Sequence, residues 1–168
     1  MEARRDTLRV AARPRDIRGL DGLRALAIVA VLVFHLRPAS LTGGFLGVDV
    51  FFVVSGFLIT TLLLREITAR GRLNLPAFWK RRARRLVPAL ALVVVASVSA
   101  GLVIGQDLLV GIGRQTLGAL TFSSNWLEIA AGSSYFANTS PQLFANFWSL
   151  AVEEQFYLFW PVLFALFL

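Results

Sequence analysis

The chain contains no cysteine, so disulfides, thiolate catalysis and cysteine–metal sites are all excluded. It has one methionine, one lysine at Lys80 and a single histidine, His35. Charge is also scarce. Only 16% of its 168 residues are charged, against about 25% in an ordinary soluble domain. There is no internal repeat and no low-complexity tract. What replaces the missing charge is hydrocarbon: 57% of the residues are hydrophobic, which places the chain among membrane proteins before any motif is considered.

The formal net charge of +7 could point to nucleic acid, but its distribution does not. Six arginines, Arg4, Arg5, Arg9, Arg13, Arg15 and Arg18, precede the first apolar run, and eight basic residues fall between Arg65 and Arg85. Basic clusters flanking apolar spans are the pattern of the positive-inside rule. The sequence therefore implies a lipid-bilayer partner and no nucleic acid. Sixteen arginines against one lysine fit a GC-rich, bacterial genome.

Residues 1–16 lack a cleavable-signal pattern and read as a basic cytoplasmic tail, which leaves 17–168 as the membrane domain. A first span is expected over Leu20–Leu36, near the lower length limit for crossing a bilayer. "RPASLTGG" forms a turn, and a second span, Phe45 to Leu64, returns to the cytoplasm. Then "NLPAFWKRRARRLVPAL" has Asn74 as N-cap and Pro76 in the first helical turn, and should lie along the inner membrane surface. A third span follows from Leu86 to about Ile104. "GIGRQTLGALTFSSNWLEIAA" reads either as a fourth span or as a re-entrant piece, "GSSYFANTSPQLFAN" as a loop, and the segment from Phe147 as the start of a last span. The fold expected is an all-α integral membrane protein, a multi-pass transmembrane helix bundle of four to five spans, with the N-terminus in the cytoplasm and the chain in the cytoplasmic membrane.

Charged residues inside such spans are costly and tend to mark sites or pathways. The candidates are Arg24, His35, Asp49, Glu153 and Glu154, with Asp21 at the entrance. Ten consecutive apolar residues separate Arg24 from His35. Eleven residues make almost three whole helical turns, so both side chains leave one face, about 16 Å apart along the axis. Asp49 lies four residues into the second span and should share the depth of His35. There a carboxylate beside the imidazole would fix its tautomer and raise its basicity; pairing with Arg37 at the surface is the alternative. Arg82 and Arg85 share a face at i, i+3, as do Arg81 and Arg84. Such a pair suits a phosphate-bearing ligand, or simply orients the chain against anionic lipid.

The segments "LDGLRALAIVAVLVFH", "GGFLGVDVFFVVSGFLIT", "FWKRRARRLVPAL" and "FWSLAVEEQFYLFWP" closely resemble, in order, the motif series of the acyltransferase type 3 family. These are integral membrane O-acyltransferases that decorate envelope polysaccharides and related molecules. The resemblance implies that Arg24 and His35 match the arginine and histidine of the family's first span, with His35 the leading catalytic candidate. It implies that Arg82 and Arg85 match the R-x-x-R motif linked to the acyl donor, and that Glu153 matches the first glutamate of the "VEEQFY" motif. Asp49 and Ser55 match positions of the "GVDVFF" motif. Full members have about ten spans, so the chain is expected to be the front part of a larger bundle.

The expectation is transfer of an acyl group, acetyl foremost, from acyl-coenzyme A to a hydroxyl of a cell-envelope glycan or similar small-molecule acceptor. His35 would act as general base or nucleophile, Asp49 and Glu153 would orient it, and Arg24, Arg82 and Arg85 would hold the donor. No permanently bound cofactor and no metal is expected. A transporter or flippase-like protein, or an inactive remnant of the enzyme, is the alternative.

Overall fold

A computed structural model describes residues 19–37, 39–132 and 142–167. The expected basic tail over residues 1–16 and most of the expected loop, residues 133–141, lie outside the described residues. Among the described residues every regular element is helical, and the chain divides into two units that meet between Leu73 and Asn74.

The first unit is a helical hairpin. Helix α1 spans Leu20–Leu36 and helix α2 spans Gly47–Arg70, with a 3-10 turn over Gly44–Leu46 leading into α2. An unbroken run of helix-compatible apolar residues makes α1 continuous, so the expected one-face spacing of Arg24 and His35 is preserved. Gly71 ends α2: it adopts φ 68° and donates its N–H to Ile67 O at 2.7 Å. The hydroxyls of Thr60, Thr61 and Thr68 each donate to the carbonyl four residues back, at 2.8–2.9 Å. An apolar helix can thus carry them without exposing an unsatisfied donor.

Two glycines set the hairpin register. A Cβ on Gly44 would fall 2.5 Å from Ala30 O, and one on Gly47 would fall 2.5 Å from Ala27 O and 2.8 Å from Val31 Cγ2. Helices approach this closely only where one side lacks a side chain. Ala27 is accordingly the buried residue of α1, beside Gly47; Val54, Ser55, Ile59 and Leu63 are the other buried residues of α2.

The second unit begins with α3, Leu75–Ile104. Asn74 caps it as expected, accepting from the Ala77 N–H at 3.1 Å, and Pro76 occupies the first turn, where a missing N–H costs nothing. The structure corrects one expectation here. The cationic stretch and the third span are not separate elements, because the helix runs unbroken through Pro88 for 30 residues, about 45 Å. Pro88 removes one backbone donor and crowds the Arg84 carbonyl, and the long apolar run beyond it carries the helix on.

The half-polar segment folds into two short helices, α4 (Ile112–Leu120) and α5 (Ser124–Ala130). At nine and seven residues, neither reaches across the roughly 30 Å of a bilayer core. The chain reverses at Phe122, which takes the left-handed φ of 51°. Gly118 lets α4 press against α5, since a Cβ there would sit 2.8 Å from a Leu127 methyl. Helix α6, Phe147–Leu166, closes the unit over a core of Leu90, Val94, Ala119 and Phe144. Gln155 of α6 secures the turn by donating to Phe122 O at 2.8 Å and exchanging hydrogen bonds with the Asn125 amide.

Two of these segments, Gly44–Arg70 and Leu75–Ile104, are long and apolar enough to cross a membrane. α1, at 17 residues, is slightly shorter, and α6 carries Glu153, Glu154 and Gln155 in its middle.

Candidate active site

His35 lies in the last turn of α1 and is exposed on its unit. Its Nδ1 sits 2.8 Å from Val31 O, one turn back. A carbonyl oxygen can only accept, so Nδ1 carries the proton and the basic lone pair of the neutral ring resides on Nε2. Phe34 contacts the ring edge-on at 5.6 Å. The backbone of its own helix therefore fixes the tautomer.

Asp49 was expected at this depth, and the register places it elsewhere. Gly47 already sits beside Ala27 and Val31, so Asp49, two residues further along the antiparallel helix, lies level with the middle of α1. Two residues also turn it about 200° from the face that Gly47 packs against α1. Its exposed carboxylate points away from α1 and does not serve as the orienting partner of His35 within the hairpin. The turn length suggested equal depths; the glycine contacts decide the register. Arg24, in the second turn of α1, reaches across to α2, where its guanidinium carbon stacks 4.9 Å from the centre of the Phe51 ring.

The other expected residues belong to the second unit. Arg82 of α3 grips Glu154 of α6 with two nitrogens: Nε donates to both carboxylate oxygens at 3.1 and 2.9 Å, and Nη2 donates to Oε1 at 2.6 Å. The side chains are 23% and 11% exposed, so the pair is largely withdrawn from solvent. The same guanidinium lies 3.1 Å above the Tyr157 ring centre. Tyr157 donates its hydroxyl to Glu153 Oε1 at 2.5 Å, and its carbonyl accepts from Trp79 Nε1 at 3.2 Å. Glu153, Glu154, Tyr157, Arg82 and Trp79 thus form one connected node between α3 and α6, beside a cavity of about 250 Å³.

This node changes how the arginine pair reads. Arg82 spends its planar fork on Glu154, while Arg81, Arg84 and Arg85 stay exposed. Tyr157 and Trp79 were not anticipated. Their signal was available in spacing: Tyr157 is four residues beyond Glu153 and three beyond Glu154, and Trp79 is three before Arg82, so each pair shares a helix face. Among the described residues no cluster of three potential metal ligands occurs.

The chain belongs to the acyltransferase family whose model, described as an acyltransferase domain, matches residues 17–168. Among curated proteins it is similar to a provisionally named O-acetyltransferase of Staphylococcus aureus (strain COL), 45% identical over 149 residues. It is also 42% identical over 149 residues to the O-acetyltransferase OatA of Staphylococcus aureus (strain NCTC 8325 / PS 47). Each match covers 89% of this chain and 25% of the relative, so the chain spans about a quarter of the length of these proteins. No solved structure matches it.

Proposed function

We propose that this chain carries the donor-handling and proton-transfer part of a multi-pass membrane O-acyltransferase, which moves an acetyl group from acyl-coenzyme A to a hydroxyl acceptor of the cell envelope. The observation that carries the proposal is the His35 ring. Its Nδ1–H is anchored on Val31 O, which leaves the basic lone pair of the neutral ring on Nε2, and Arg24 stands three turns below on the same helix.

Nε2 takes the proton of the acceptor hydroxyl as its oxygen attacks the thioester carbonyl. The C–S bond then breaks, and the departing coenzyme A sulfur takes that proton from the imidazolium. The hydrogen bond to Val31 holds the ring through both protonation states, since Nδ1 donates in each. Arg85, exposed on α3 and matching the second arginine of the R-x-x-R motif, is the guanidinium assigned to the donor's phosphates. Arg24 steers the donor along the α1 track, and Arg82, Glu153 and Glu154 hold α3 and α6 together so that the cationic turn keeps its place. The chain sits in the cytoplasmic membrane, with the N-terminus and the Arg65–Arg85 region in the cytoplasm. The outward-facing apolar residues of α3, such as Val103 at 87% exposure, support a lipid environment.

The test is acetyl transfer by the protein in membranes with His35→Gln, which keeps hydrogen bonding and cannot act as a base. Turnover should fall at least about a thousandfold, with the membrane level unchanged. Turnover near that of the parent would leave His35 a structural residue. If the imidazole instead takes the acetyl group itself, the same nitrogen is used, and an acetyl-imidazole would form with donor alone.

A further inference from the structure

A second cavity, larger than the one beside Arg82, lies at the other end of α3, formed by the Gly105 turn, α4, α5 and the segment entering α6. Its volume is about 410 Å³, within the range of small-molecule sites. Two polar atoms are buried in its wall without a hydrogen-bond partner: Ser124 Oγ and Gln142 Oε1. Ser124 is only 7% exposed. Buried polar atoms without partners are rare and costly, and a pair of them lining one cavity points to a ligand that completes them.

The rest of the wall defines the chemistry of that ligand. Gln142 Oε1 can only accept and Ser124 Oγ can accept or donate, so the ligand must present hydroxyl or amide donors. Asp107 and Glu128 add two carboxylates against the single guanidinium of Arg114, which leaves the rim with one net negative charge and disfavours anions. Phe144, buried in the core, supplies an apolar wall. Arg114 donates to Leu127 O at 2.5 Å, and Gln115 donates to Val110 O and accepts from Phe144 N, so the cavity is braced from both sides. A sugar ring has this combination of polar edge and apolar face, carries no charge, and is of a size this volume holds.

We propose that this cavity binds a neutral polyhydroxylated ring, with Ser124 and Gln142 as its specificity-determining contacts, and that this ring bears the acceptor hydroxyl. Only the word acceptor rests on the acyl-transfer reading; the binding does not. Position supports the assignment. From Arg85 to Gly105 the helix rises about 30 Å, one hydrocarbon thickness, so a donor held at the arginines and a ring held here approach from opposite membrane faces.

The experiment uses the detergent-solubilised protein and a panel of neutral monosaccharides (glucose, galactose, mannose and N-acetylglucosamine), with inorganic phosphate as the anionic control, read by saturation-transfer NMR. At least one sugar should give a signal that Ser124→Ala and Gln142→Met each weaken, and phosphate should not compete. Both variants should unfold no earlier than the parent, because each removes an unpartnered buried atom. In acyl transfer, each should raise the acceptor KM about tenfold and leave the donor KM unchanged. A panel without any signal, a signal indifferent to both substitutions, or effective competition by phosphate would overturn the proposal. Sugar binding without acetyl transfer would sink the transferase reading and leave the pocket standing. Transfer with an acceptor KM unmoved by both variants would leave the transferase reading standing and overturn the acceptor role of this pocket.

Discussion

Arg82 and Glu154, 72 positions apart in the chain, are joined by a two-pronged ion pair that the Tyr157 ring covers from one side. A buried pair of this kind gains its worth from completeness. Removing either partner strands a charge in a poorly solvated place, which costs more than the pair contributes over an apolar contact.

Arg82→Ala and Glu154→Ala should each destabilise the protein by about 3–5 kcal/mol, measured by unfolding in detergent. The double variant should cost little more than either single one, since the second change removes the stranded charge. Arg82→Lys should not restore stability, because an ammonium cannot reproduce the planar fork. Losses that simply add would show that the two side chains do not work as a pair.

The hairpin glycines make a second prediction. Gly44→Ala and Gly47→Ala each drive a methyl group into backbone carbonyl of α1, 2.5 Å away, and should cost about 1–3 kcal/mol by forcing the helices apart. The control is Gly22→Ala, whose Cβ meets nothing within 4 Å. Cross-linking yield between cysteines placed at Ala30 and Phe45 would report the separation. Yields that stay equal across all three variants would disprove the close approach.

Donor use should divide the two arginines. Arg85→Ala should raise the acyl-coenzyme A KM several-fold with unchanged thermal stability, whereas Arg82→Ala should lower stability first. Neutralising Arg70 and Arg72 should change neither property. If Arg85, Arg70 and Arg72 behave alike in a donor titration, the basic cluster serves orientation in the membrane and nothing more.

The absence of native cysteine allows a direct topology measurement. Cysteines introduced at Thr42 and Arg70 bracket α2, which is about 36 Å long. In intact cells an impermeant thiol reagent should label Thr42→Cys and leave Arg70→Cys untouched until the cells are opened. Labelling in the opposite order would invert the bundle and the donor route with it.

Local signals were readable from the residues alone. The Asn74 cap with Pro76 and the helical spacing of Arg24 and His35 depend only on local sequence, and the structure places both as the chain suggests. The depth of Asp49 was not readable, because hairpin register depends on how closely Gly44 and Gly47 approach α1, which turn length does not reveal. Nor was the engagement of Arg82. Of its two neighbouring candidates, Glu153 and Glu154, only three-dimensional packing of α3 on α6 decides which one meets the guanidinium and which the tyrosine hydroxyl. Ser124 and Gln142 are ordinary polar residues by composition, and only the fold buries the Ser124 Oγ and Gln142 Oε1 atoms without a partner.

The unbroken course of α3 has a consequence for where the protein can work. The apolar stretch from Leu86 to Ile104 measures about 28 Å and is continuous with the turn that carries the arginines, so no loop separates the cationic turn from the apolar end. In a thicker bilayer the guanidiniums are drawn toward hydrocarbon or the lipid must thin around them; in a thinner one the rod tilts. Lipid chain length thereby becomes a control on the depth at which the cationic turn sits, exerted by the membrane as a whole on a single continuous helix.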